Sequence, residues 1–210
     1  MTSRSGQACE RSGRVTVALR VFPPLLLLAW LAACRSLGPL PALSWPERRS
    51  ALQAVERYAF SGQLAVATAS EGFSATLRWQ QEGVASDLLL RAPLGVGGAR
   101  VHFDGAGLQV IAADGTRSEG EDAQAQLVKV LGFDPPLTSL RYWLLGVPDP
   151  SATAVESLDS TARLTQLQQG DWQVVYGEYQ RSGGQWLPRQ LSLRRGSLRM
   201  KLHISQWRFG

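Results

Sequence analysis

Phe60-Ser61-Gly62-Gln63-Leu64-Ala65-Val66-Ala67 and Phe73-Ser74-Ala75-Thr76-Leu77-Arg78-Trp79-Gln80 are the stretches that decide the fold. In the first, Phe60, Gly62, Leu64 and Val66 alternate with small or polar residues; in the second, Phe73, Ala75, Leu77 and Trp79 alternate with Ser, Thr, Arg and Gln. A period of two sends one set to each face of a pleated strand, so both predict half-buried antiparallel strands. Working outward, further strands are predicted at 87–92, 99–104, 108–112, 161–167, 172–179, 187–194 and 197–205, most of them bounded by Gly, Asp or Pro. The last is the clearest, with Leu198, Met200, Leu202 and Ile204 set against Arg199, Lys201, His203 and Ser205.

The period changes at three places. Ser44 and Glu47 have capping-box spacing around Trp45-Pro46, and Leu52, Val55 and Ala59 follow at helical intervals, which predicts a short amphipathic helix. Between the two groups of strands, 121–131 puts Ala123, Leu127, Val130 and Leu131 on one side, and 138–145 does the same with Leu140, Trp143 and Leu144. The expected fold is mainly β with short helices: one curved antiparallel sheet wrapped into an open or partial barrel, its concave side capped by helices.

The chain before Ser44 has a different character. Arg4, Arg11, Arg14 and Arg20 precede an apolar run over 21–33 that ends in Leu31-Ala32-Ala33-Cys34. The run is short and broken by Pro23 and Pro24, whereas a bilayer core needs about 20 apolar residues, so a cleaved secretory signal is expected. Leu-Ala-Ala-Cys resembles the lipobox of bacterial lipoproteins. That resemblance implies a diacylglyceryl group on the Cys34 thiol, cleavage before Cys34 and acylation of the new amino terminus. The other cysteine, Cys9, lies within the segment to be removed, which excludes a disulfide framework. The expected organisation is a signal peptide over 1–33, an acylated amino terminus and tether over 34–43, and a single lipid-binding half-barrel domain over 44–210. The segment ahead of the apolar run is long for a signal peptide, so the working start is expected downstream of Met1. Arg35 stands where aspartate marks inner-membrane retention in many lipoproteins, and by that rule the protein goes to the outer membrane.

Removal of the four leader arginines and Glu10 lowers the formal charge from +5 to about +2. The remaining arginines are scattered along the chain without interleaved aromatics, which argues against a nucleic-acid surface and reads as composition rather than a binding patch. Chemistry is sparse. His102 and His203 both fall on the polar phase of predicted strands, so surface positions are expected, and no catalytic residue, metal site or cofactor is expected beyond the covalent acyl group on Cys34. Leu94-Gly95-Val96-Gly97-Gly98 lacks the lysine of a phosphate loop and the helix of a dinucleotide loop, leaving a strand connection. Glu119, Glu121 and Asp122 read as a solvated turn. Seven tryptophans are the unusual feature. Trp79, Trp143 and Trp172 sit on apolar phases, and core packing or the lining of a pocket for acyl chains would both place them there.

Several runs together resemble the LolB family of outer-membrane lipoprotein receptors. They are Phe60–Val66, Arg78-Trp79-Gln80-Gln81, Leu88-Leu89-Leu90 with Ala92-Pro93-Leu94-Gly95, Asp122-Ala123, Leu140-Arg141-Tyr142-Trp143-Leu144-Leu145-Gly146-Val147-Pro148, and 172–179, with Lys201-Leu202 and Trp207 fitting the terminal strand. The resemblance implies an incomplete antiparallel β-barrel with an α-helical lid over a hydrophobic cavity, and a monomer lipid-anchored at the periplasmic face of the outer membrane. It implies three partners: the periplasmic carrier LolA, triacylated lipoprotein cargo and outer-membrane lipid. It also implies a role for Leu94 as the protruding leucine that engages membrane. The competing expectation is a generic lipid-binding or structural outer-membrane lipoprotein.

Overall fold

The computed structural model describes residues 44–93 and 97–209; Cys34, the predicted signal segment and tether, and Leu94 lie outside the described residues. Helix α1 spans Trp45–Gln53. At its start the Ser44 backbone N–H and hydroxyl both donate to Glu47 Oε2, at 2.9 and 2.7 Å, and Pro46 sits in the first turn, where no intrahelical N–H is needed. The helix stops at Gln53, earlier than the Leu52–Val55–Ala59 spacing predicts. Ala59 belongs instead to strand β1 (Arg57–Ala67), where hydrogen bonds to two flanking strands outweigh a helical period of one more turn.

Six strands follow, running from the middle of the sheet out to one edge: β1, β2 (Gly72–Glu82), β3 (Ala85–Arg91), β4 (Gly98–Phe103), β5 (Leu108–Ala112) and β6 (Arg117–Glu119). Helices α2 (Gly120–Leu131) and α3 (Leu137–Trp143) come next. The chain then forms β7 (Ala154–Leu158), β8 (Leu164–Gln169), β9 (Trp172–Tyr176), a hairpin of β10 (Tyr179–Ser182) with β11 (Gln185–Pro188), β12 (Gln190–Arg195) and β13 (Leu198–Phe209). The 11-stranded sheet runs β6-β5-β4-β3-β2-β1-β13-β12-β9-β8-β7, antiparallel throughout, and its edge strands β6 and β7 do not pair. This is an incomplete barrel. The chain passes from one open edge to the other through α2 and α3, and that connection lays both helices over the buried phase of the strands.

The alternation in β1 and β2 is realised as read: Tyr58, Phe60, Leu64 and Val66 face inward with Ala75, Leu77 and Trp79. Gly62 is needed where it stands. The register of β1 against β13 slips between Ser61 and Gly62, and a Cβ at Gly62 would lie 2.3 Å from the His203 carbonyl oxygen. Two predicted strands prove to be composite. The run predicted at 172–179 breaks after Tyr176, and that at 187–194 breaks at Arg189, because the Glu178 carbonyl accepts from the Arg189 and Gln190 N–H groups and throws β10–β11 out of the main sheet. The strand predicted from 161 begins at Leu164. Asp159, which accepts from the Thr161 and Arg163 N–H groups at 2.8 and 3.1 Å, makes the preceding residues a turn.

Candidate functional site

Between the lid helices and the sheet lies a cavity of about 50 Å³ whose lining is apolar. Leu64, Leu77, Leu88 and Met200 face it from the sheet, and Leu127, Leu131 and Leu140 from α2 and α3. An engineered apolar cavity of about 150 Å³ admits one benzene, so this space has room for a few methylenes at most. An acyl chain enters only if part of the lining moves aside.

Two of the three tryptophans singled out from the sequence line this cavity. Trp79 on β2 and Trp143 at the end of α3 are 2 % and 1 % exposed, and a buried glutamine satisfies each indole N–H. Trp79 Nε1 donates to Gln81 Oε1 at 3.0 Å, and the same oxygen accepts from the Ser86 hydroxyl at 2.7 Å. Trp143 Nε1 donates to Gln169 Oε1 at 2.8 Å. Trp172 is placed differently. It is buried behind the lid, with its ring 5.9 Å from Trp143 and 6.4 Å from Phe133, and it does not line the cavity. Arg195 covers its face at 4.6 Å.

Gln169 is the residue of this site that the sequence reading missed. Its Oε1 also accepts from the Asp149 N–H at 3.0 Å, and its Nε2 donates to the carbonyls of Asp149 and Ala152 at 2.7 and 2.8 Å. One buried amide therefore fixes both Trp143 and the loop after α3, with its polar capacity used. Two tyrosines reinforce that end of the lid. Tyr58 donates to the Arg141 carbonyl at 2.6 Å and Tyr176 to the Trp143 carbonyl at 3.0 Å. Burial holds both phenols well above their usual pKa, so they remain donors across the physiological range. Gln169 stands beside Gly170 in what reads as a polar turn, and only its inward phase on β8 could have marked it.

His102 is exposed, with Nδ1 2.9 Å from Asp87 Oδ1, and His203 is exposed on β13. Among the described residues there is no cluster of three or more His, Cys, Asp or Glu side chains arranged for a metal. Glu119, Glu121 and Asp122 form the cap and first turn of α2 rather than a free turn; carboxylates there complement the positive end of the helix dipole. The Gly-rich segment connects β3 to β4. There Gly98, at φ 141°, has room for no Cβ, which would lie 2.4 Å from the Leu90 carbonyl oxygen.

A family model described as outer membrane lipoprotein LolB matches residues 56–207, which contain the lid, the cavity and all of the sheet but the last two residues of β13. The chain belongs to the LolB family. The outer-membrane lipoprotein LolB of Nitrosococcus oceani is 36% identical over 193 residues, covering 90% of this chain and 96% of that protein. Its Pseudomonas aeruginosa counterpart is 30% identical over 196 residues with the same coverages. Among solved structures, a LolA superfamily protein from Nitrosomonas europaea superposes with a TM-score of 0.52 at 8% identity, over 80% of this chain and 94% of that one. A DUF1329 family protein from Desulfovibrio piger gives 0.54 at 11%, over 79% and 90%. At such identities the structures attest the fold: an open sheet with a helical lid, shared by the LolB family and the LolA superfamily.

Proposed function

We propose that the protein is the outer-membrane receptor that accepts acylated lipoproteins from the periplasmic carrier LolA and inserts them into the outer membrane. The observation that carries this reading is the apolar cavity beneath the two lid helices, in a chain of the LolB family. Each acyl methylene left in water costs about 0.8 kcal/mol, so a triacylated cargo needs shelter throughout its passage. Transfer runs downhill in affinity from carrier to receptor to bilayer. In this reading Cys34 carries the acyl anchor, and the domain works as a monomer.

Leu94 takes the membrane-engaging role. It follows Pro93, which fixes the backbone, in the connection between β3 and β4. Burying one leucine yields about 1.5–3 kcal/mol, enough to dip a loop into lipid but too little to anchor a domain. The test is to mix LolA loaded with a fluorescently labelled lipoprotein with this protein and then add vesicles. The label is expected to move first to the receptor and then to the vesicles. Leu94→Glu should receive cargo normally and fail to release it into lipid, because a carboxylate is costly to bury there. Label that stays on LolA in the presence of the unaltered protein would reject the receptor role.

A further inference from the structure

The outer face of the sheet carries charge that the cavity does not use. Arg78 on β2, Arg91 on β3 and Arg100 on β4 lie on the exposed phase. So do Arg199, Lys201 and Arg208 on β13, which is the central partner of β1. Arg194 on β12 joins them, directly opposite Arg199 in register, although like charges so placed repel. Among the described residues none of these seven cations forms an ion pair. Of the acids on the same outward phase, Glu82 and Asp87 are engaged with Arg57 at 3.3 Å and with His102 at 2.9 Å, and Glu119, on the edge strand β6, accepts from Gln109 at 2.8 Å.

Register draws the cations together. Arg78 and Arg100 flank Leu89 across three neighbouring strands, and with Arg208 they line one shallow groove. On the lid side, exposed acids gather at α2, with Glu121 and Asp122 in its first turn and Asp134 just after it. Since the chain without its leader is nearly neutral, this is segregation of charge rather than an excess of it. Read along the sequence the arginines look scattered; the strand register gathers them on one face.

We propose that this convex face rests on the anionic phospholipid headgroups of the membrane that anchors the protein, leaving the lid side turned toward the periplasm. Arginine forks match phosphate oxygens, and each cation near an anionic surface raises partitioning about fivefold. The segment from Cys34 to Ser44 spans at most about 35 Å, which keeps the domain within reach of that surface. Screening confines such attraction to about 10 Å, so a face held close by a tether gains most from it.

The proposal rests on the lipid-anchored location, and the test removes that dependence by omitting the anchor. Residues 42–210 form one compact unit containing the whole described core, so they serve as the protein. Cosedimentation with phosphatidylcholine vesicles, with and without a third of phosphatidylglycerol, reads the partitioning. Binding is expected only with phosphatidylglycerol, falling steeply with salt. The triple variant Arg78→Gln, Arg100→Gln, Arg199→Gln should lose about a hundredfold. A control with Lys129→Gln, Arg141→Gln and Arg181→Gln should retain binding, with circular dichroism confirming that both variants are folded. Absence of binding to anionic vesicles, or equal loss in the two triple variants, would overturn the proposal. So would a first triple variant that keeps vesicle binding but loses LolA, since the face would then dock a protein. Cargo receipt from LolA reports on the receptor function separately.

Discussion

The two lid helices cover the same cavity but are held in different ways. At the end of α3, hydrogen bonds from Tyr58, Trp143 and Tyr176 tie the helix to the sheet and to Gln169 on β8, and Ser139 donates to Asp149 at 2.8 Å. Helix α2 buries Ala123, Leu127 and Leu131, and among the described residues its only side-chain hydrogen bond runs from Gln124 to Asp134, within the lid itself. Gln126 even leaves its buried Oε1 without a partner. Hydrogen bonds are directional and costly to leave unmade, whereas an apolar contact can be exchanged for another at little net cost. An acyl chain offers Leu127 and Leu131 the same surroundings they have now. It offers Trp143 no substitute for Gln169. That difference predicts a lid that opens at α2, with α3 as the fixed jamb.

The largest expected effect breaks the fixed side. Gln169→Leu strands the Trp143 indole N–H and the Asp149 N–H in the interior, at about 1–3 kcal/mol each. Urea denaturation should show the whole domain destabilised by roughly 2–5 kcal/mol. Retention of wild-type stability would mean that α3 is not anchored there. On the other side, Leu127→Ala enlarges the cavity beneath a helix free to settle, and about 2 kcal/mol is expected, at the low end for such truncations. Its distinguishing mark is faster uptake of a fluorescent fatty acid, which Gln169→Leu should not produce without general unfolding.

A smaller effect concerns the edge strand next to β8. Burial raises the Asp159 pKa, but hydrogen bonds from Thr161 and Arg163 outweigh it and hold the carboxyl at about 2, below its ordinary 3.8. The stability this turn contributes is therefore fully present above about pH 4 and fades as the pH falls toward 2. Asp159→Asn should cost about 1 kcal/mol at neutral pH and flatten that acid limb, measured by thermal melts across pH 2–6. The smallest effect has the opposite sign. Gln126→Leu removes the unpartnered buried oxygen of α2 and should stabilise by up to about 1 kcal/mol, while slowing uptake of the same probe.

The residues explain why one side of this comparison was legible in the sequence and the other was not. Phe60–Val66 and Leu198–Ile204 announce their strands because a period of two needs no partner to be seen. Ala123, Leu127 and Leu131 announce α2 in the same way. Trp79 and Trp143 could be assigned inward phases, but nothing local distinguished their places from that of Trp172, which packs against Trp143 outside the cavity. Gln169 was invisible because its value lies in four bonds to groups at 143, 149 and 152, distant in sequence. The basic outer face was equally hidden, since Arg78 and Arg100 become neighbours only through pairing with β3. Short or irregular pieces failed for a related reason. Strands β6 and β7 lie at the sheet edges, where only one partner sets the pattern, and Val155 and Leu158 on β7 are exposed.

Hydrogen exchange resolved by segment, with and without a bound acyl ligand, tests the division of the lid most directly. Without ligand, amides of α2 should exchange by local opening well before those of α3, whose protection should approach that of the central strands β1 and β13. Ligand should change exchange in α2 and in the 132–136 connection, leaving 140–144 as before. Equal protection of the two helices in the free protein, or a ligand response centred on α3, would contradict a lid that opens at α2.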